Sequence, residues 1–303
     1  MDEPFFPLAL RDDAPLPEDD RASLQRAVVM LEETNLAVRI AGVLGTVAGR
    51  SLHGVLEQMP LPMRRQILRA ANGAAAEALT VAYRSILPTL GQRRRFRLPV
   101  PPKFAERAVT LVSGIAGGAG GIPGTMIELP VTTALLLRSI ARIAEEEGED
   151  PRDNDTRAEC LKVLAIGAPS TVSPSTPASG EAGAASYQAV RLAMAEVVSA
   201  AAGRAAGELF PRLAAAVLPR FGVSVTWKFA GQAVPVAGAA AGGLVNLAFT
   251  AHYQEKARGH FIVRRLERTH GEAVVQSLYE QLAGRRSPVH RAKLDGSPAE
   301  QAA

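Results

Sequence analysis

Small residues recur at every fourth position in three separate segments of this chain. Ala41, Gly45 and Gly49 form one such run, Ser113, Gly117 and Gly121 a second, and Gly238 with Gly242 a third. Residues four apart share one face of a helix, so each segment reads as a helix with a groove where side chains are missing. A glycine inside a helix costs about 1 kcal/mol against alanine. Close helix–helix contact is what recovers such a cost, so the six glycines are read as helix-packing positions. Composition agrees: apolar residues make up 47% of the chain and aromatics only 5%. That mix suits helices whose backbones approach closely and not a sheet core of β-branched and aromatic residues. No alternating strand pattern with hairpin turns stands out. The expected fold is all-α, a multi-helix bundle with Gly/Ala-rich helical hairpins at its centre.

The punctuation of the chain divides it further. Residues 1–18, acidic and rich in proline, read as a disordered arm, with Asp19 or Asp20 capping the first helix. They show no basic segment followed by a long apolar run, so no secretory signal is expected. Helical patterns run from about 36 to 59 and from Met63 to Leu87. A basic, proline-rich linker over 91–103 is the one place where the region 19–283 could subdivide. After an acidic loop, Thr156-Arg-Ala-Glu159 reads as a capping box. A Ser/Pro-rich loop over 170–183 follows, then helical patterns at 187–203 and from Leu209 to Pro219. An amphipathic helix ends at Gly271, and residues 284–303 read as a disordered basic and polar tail.

Two uncharged stretches, 108–127 and 229–251, reach the roughly 20 residues that span a bilayer. Their Gly, Ala, Ser and Thr content lowers the transfer energy, and Pro123, Gln232, Pro235 and Asn246 oppose insertion. They fit either the core of a bundle or contact with a membrane. Arg93, Arg94, Arg95 and Arg97 precede the first stretch, and Arg264 and Arg265 follow the second. These arginines are the candidates for contact with anionic lipid. The formal charge of +4 is too mild to imply nucleic acid. The single cysteine, Cys160, rules out an internal disulfide and a cysteine zinc cluster. Neither a metal nor a cofactor is expected.

The stretch GGAGGIPGTMIELP, residues 117–130, has neither the lysine of a phosphate-binding P-loop nor the glycine spacing of a dinucleotide loop. It reads as a bend between helices, with the second helix starting at Thr125 or at Pro130. Glu128 is the only charge between Arg107 and Arg138. A carboxylate in such a setting must find donors, stay neutral or face water. Donors at the start of its own helix fit, and so do Lys228, Gln232, Asn246 and His252. On that reading Glu128→Gln costs little stability. The catalytic candidates are Glu128, Tyr187, Arg191 and His252. His252 and His260 lie eight residues apart, about 12 Å of helical rise, too far to share one metal.

Four blocks together resemble the EcsC family of bacterial proteins: GIAGGAGGIPGTMIELPVTTALLLRSIARIAEEEGED, then Ser186-Tyr187-Gln-Ala-Val-Arg191, then KFAGQAVPVAGAAAGGLVN, and ARGHFIVRRLERTHGEAVVQSLYEQL. The resemblance covers most of residues 20–282 and is strongest over 111–282. It implies a class of helical bacterial protein without a defined reaction. The Ser/Pro-rich loop at 170–183 departs from the acidic residues that relatives tend to carry. The expected role is packing of the Gly/Ala-rich hairpins on partner helices, on a membrane protein or on an anionic inner-membrane surface from the cytoplasmic side, with self-association left open. The alternative is a hydrolase-type enzyme built around Glu128 with Tyr187, Arg191 or His252.

Overall fold

The computed structural model describes residues 16–33, 36, 39–40, 61–81, 84, 121–168, 187–201, 206–232 and 238–286. Within them lie eight α-helices and no strand: α1 (Glu18–Val28), α2 (Leu61–Val81), α3 (Gly121–Glu146), α4 (Asn154–Ile166), α5 (Tyr187–Ala201), α6 (Ala206–Gln232), α7 (Gly238–His270) and α8 (Glu272–Arg286). The protein is all-α, as its small-residue periodicity and lack of strand alternation imply. A π-helical turn, Val29–Glu33, extends α1.

The long central helix α7 organises the bundle. Its 33 residues give it a length of about 50 Å. It packs against α1, α3, α4, α6 and α8. Side-chain pairs set the directions. Ser139 meets Gln254 and Glu147 meets Arg265, so α3 runs parallel to α7. Gly167 meets His252 and Glu159 meets His260, so α4 runs antiparallel. Asp20 meets His270 and Leu31 meets Lys256, so α1 is antiparallel too. Helix α4 buries residues on all sides, including Cys160, Leu161, Val163 and Leu164, the pattern of a central core helix. Phe221, Phe249 and Tyr253 form an aromatic cluster between α6 and α7, with centroids 5.0–6.4 Å apart.

Several local expectations are corrected. The helix expected to start at Thr125 or Pro130 starts at Gly121, so GIPG lies within its first turn and Pro130 inside it. The first helical turn has no intrahelical acceptor for its N–H groups, so Pro123 costs nothing there. Helix α6 passes through Pro211 and Pro219 and reaches Gln232. Both prolines are exposed, so water can satisfy the carbonyls they orphan. Leu213, Val217, Phe221 and Val225, all fully buried, hold the opposite face at four-residue spacing. Pro17, not Asp19 or Asp20, occupies the N-cap of α1, and no side chain caps it. Asp153 occupies the N-cap of α4, again with no side-chain cap bond. Thr156 instead donates to Glu149, and Glu159 turns inward.

Gly271 stops α7 as expected, with φ of +89°, a conformation costly for any side chain. Gly45, Gly49 and Gly117 lie outside the described residues, as do Arg93, Arg94, Arg95 and Arg97, the 91–103 linker and the 170–183 loop. Gly121 and Gly238 are the first residues of α3 and α7, and Gly242 is buried one turn into α7. One close glycine-mediated crossing falls elsewhere on α7. A Cβ on Gly259 would lie 2.8 Å from Leu31 Cγ and 3.2 Å from the Ala27 carbonyl. Among the described residues, no helix is long and apolar enough to cross a membrane.

Candidate functional site

One face of α7 carries Phe249, Tyr253, Lys256, His260, Arg264 and Glu267 at three- or four-residue spacing, so their side chains line up along the bundle axis. Two buried polar clusters form along this stripe.

The first cluster joins α3, α6 and α7. Lys228 Nζ donates to both carboxylate oxygens of Glu128 at 3.0 Å, and neither side chain is more than 4% exposed. Thr132, one turn beyond Glu128, also donates to that carboxylate. The ammonium lies 5.3 Å from the centroid of the Phe249 ring, within reach of a cation–π contact. Burial lowers the Lys228 pKa, and the charge of Glu128 opposes that shift. Charge pairing and four hydrogen-bonding atoms thus close the cluster on itself.

The second cluster lies eleven residues further along α7, a rise of about 16 Å. The Tyr187 hydroxyl and His260 Nδ1 are 2.8 Å apart, and His260 Nε2 is 3.0 Å from Glu159. A carboxylate only accepts, so His260 donates through Nε2 and its Nδ1 accepts the Tyr187 proton. All three residues are at most 5% exposed. Lys162 Nζ, at 2.7 Å, and Arg264, at 3.1 Å, complete the shell of Glu159. Although burial opposes ionisation, the His260 hydrogen bond and the surrounding cations hold the Glu159 carboxyl well below its usual range. Burial keeps His260 neutral by lowering its pKa against the pull of Glu159. Burial also raises the Tyr187 phenol, so the chain is an uncharged Tyr–His pair on a carboxylate.

Tyr187 fastens more than this chain. Its backbone N–H donates to Glu32 at 3.3 Å, and the Tyr279 hydroxyl donates to the same oxygen at 2.8 Å. Arg191, one turn on, makes a two-pronged contact with Glu267 at 2.5 and 3.0 Å. Lys256 is buried and donates to the Leu31 carbonyl in the π turn at 2.5 Å. A π turn displaces the ladder that would use such a carbonyl, and Lys256 supplies a donor. Burial pushes the Lys256 ammonium down to about 8, against the pull of Glu32 and Glu255.

The structure brings Tyr187 and Arg191 to one place and puts Glu128 in the other cluster. His252 belongs to neither: its Nε2 lies 2.8 Å from the Gly167 carbonyl, which accepts its proton. Burial, then the charge of Lys256, depresses the His252 pKa to about 3. Arg264 reaches Glu149 at 2.8 Å, Asp155 at 2.9 Å and Glu159. Arg265 reaches Glu147 at 2.9 Å and Asp20 at 3.4 Å. Both guanidinium groups are thus engaged with carboxylates of this chain. Among the described residues, no group of three or more His, Cys, Asp or Glu is placed to hold a metal ion.

Glu159 and Glu267 were not singled out as site residues by the sequence. Glu159 sits in a pattern that reads equally well as a cap. The available signal was the stripe on α7, where ionisable residues fall in register with the apolar ones. His260 stood out in the sequence only as an unsuitable metal partner for His252.

No curated protein and no solved structure matches this chain. The model of the EcsC protein family matches residues 55–266, a span that contains both polar clusters and the whole of α2 through α6. The chain belongs to the EcsC family.

Proposed function

We propose that this protein acts by packing and docking, not by turnover, and that its working surface seats on an anionic membrane face or on helices presented there. The observation that carries the reading is the closure of its buried polar groups. Glu128 is bound by Lys228 and Thr132, and Glu159 by His260, Lys162 and Arg264. A carboxylate surrounded in this way is buried and spends most of its lone pairs on donors of this chain, and its hydrogen bonds hold helices together. The crossing at Gly259 supports the same reading, because the missing side chain there lets α1 approach α7 closely. Fractionating cells tests it. The protein should partition into a membrane pool released by salt. Recovery of the whole pool in the soluble fraction at low salt would overturn the reading.

The enzyme reading draws on a different observation, the Glu159–His260–Tyr187 chain. Its arrangement would let His260 take a proton from Tyr187. The phenol is buried and its pKa raised, which opposes use as a nucleophile. Glu128 stands about 16 Å away along the axis. Turnover of a generic ester that is abolished in folded Tyr187→Phe would favour this reading over docking.

A further inference from the structure

We propose that His252 and Lys256, one turn apart on α7, form a buried site for a hydroxyl group, carried by a water or by a small alcohol. The site lies outside both polar clusters and does not depend on the docking reading. Residues four apart on a helix have Cβ atoms about 5–6 Å apart on one side, and the Lys256 charge acts on the His252 ring. His252 is 1% exposed and Lys256 4% exposed. His252 Nε2 donates to the Gly167 carbonyl at 2.8 Å, which leaves Nδ1 as an acceptor. Among the described residues nothing donates to that nitrogen. The Lys256 ammonium has three N–H donors, and the Leu31 carbonyl takes one of them at 2.5 Å. Lys162 and Lys228 are bound to carboxylates, Glu159 and Glu128; Lys256 meets a backbone carbonyl instead. An unused acceptor and unused donors thus stand side by side in the interior, where a polar atom without a partner is costly.

The two nitrogens select the guest. It must donate to His252 Nδ1 and accept from Lys256 Nζ, and a hydroxyl does both. A proton-free anion has no donor for Nδ1, and an ammonium has no acceptor for Nζ. Charge makes the same selection. Glu32 on the π turn and Glu255 on α7 act on the Lys256 ammonium, and Arg39 acts on both Lys256 and His252. Arg39 is paired with Glu255, and Glu32 accepts from Tyr279 and from the Tyr187 N–H. From α4 the group that reaches His252 is the uncharged Gly167 carbonyl. Two cations and two carboxylates balance, so a neutral guest fits. Two polar partners are enough to hold a buried water. The guest completes a chain of contacts from Leu31 through Lys256 and His252 to Gly167, and so joins the π turn to the end of α4 across α7.

A crystal structure of the full-length chain tests the site directly. An ordered oxygen should lie within about 2.7–3.2 Å of both His252 Nδ1 and Lys256 Nζ. Mass spectrometry of the purified chain under native and denaturing conditions separates the two sources. An excess mass lost on denaturation identifies an alcohol, and equal masses with an isolated oxygen assign water. No oxygen at the two nitrogens, or a direct bond between them, overturns the proposal. Urea unfolding at pH 7 gives a second reading. His252→Gln keeps a donor for the Gly167 carbonyl, and Lys256→Met keeps the stem without the ammonium. His252 is uncharged at that pH, so no ion pair couples the two positions and a shared guest is what would couple them. Either single variant releases the guest, so the double variant should lose clearly less stability than the two single losses combined. Strictly additive losses mean that the two side chains share no partner, and overturn the proposal as well. Should Lys256→Met fail to fold, the wild-type crystal decides alone.

Discussion

Lys228 and Glu128 stand 100 residues apart in sequence and meet with both carboxylate oxygens 3.0 Å from the same ammonium, out of reach of water. Breaking a buried pair from one side leaves an uncompensated charge, at a cost of about 3–5 kcal/mol. Glu128→Gln was expected from the sequence to cost little. With Lys228 opposite, it should instead cost about 3 kcal/mol. Lys228→Met should cost as much, and Glu128→Gln/Lys228→Met should recover part of the loss. Denaturant midpoints of the three variants form a double-mutant cycle. Strictly additive losses would show that the two charges do not hold each other.

The crossing of α1 and α7 at Gly259 makes a paired prediction. Gly259→Ala places a methyl 2.8 Å from Leu31 Cγ and should destabilise by about 1–3 kcal/mol. Gly73 lies within α2 with nothing near its added Cβ within 4 Å. Gly73→Ala should therefore stabilise by about 0.5–1 kcal/mol through helix propensity. Thermal unfolding that moves both in the same direction would contradict this account of where backbones touch.

His252 links stability to pH. Its folded pKa of about 3 lies below the unfolded value of 6.5. Between those values the unfolded chain binds the proton and the folded chain does not, so stability falls as pH drops through that window. The full effect is a few kcal/mol, less than half of it above pH 5, where His260, its pKa also lowered by burial, adds to the same fall. His252→Gln, whose amide can still donate to the Gly167 carbonyl, should make the loss of stability between pH 6.5 and pH 5 shallower, with His260 accounting for what remains. An unchanged slope measured by urea unfolding would remove His252 as the cause.

Tyr187→Phe removes the only proton donated to His260 Nδ1 in this site. A buried acceptor left unpaired costs about 1–3 kcal/mol. The variant should lose that much stability and shift the His260 ring resonances, while His252 resonances stay in place. Chemical shifts for His260 unchanged from wild type would mean that the tyrosine does not set its tautomer.

What the sequence determined by itself was local. Four-residue glycine spacing and the absence of strand alternation give an all-α protein, because helix geometry is written in period alone. Gly271 was legible as a stop because only glycine takes its φ of +89° at no cost. Glu128 announced that it needed a partner, and Lys228 stood among four residues suited to the task, because an unpaired buried charge is too costly for a marginally stable fold. Which of the four it meets depends on how α3 and α6 cross, and no residue spacing encodes that. Pro211 and Pro219 look like stops until the exposed side on which they fall is known. Glu159 looks like a cap until α4 is turned so that it faces His260. The tertiary structure decided these outcomes because each depends on the rotation of one helix against another. Packing fixes that rotation only when residues about 100 positions apart come together.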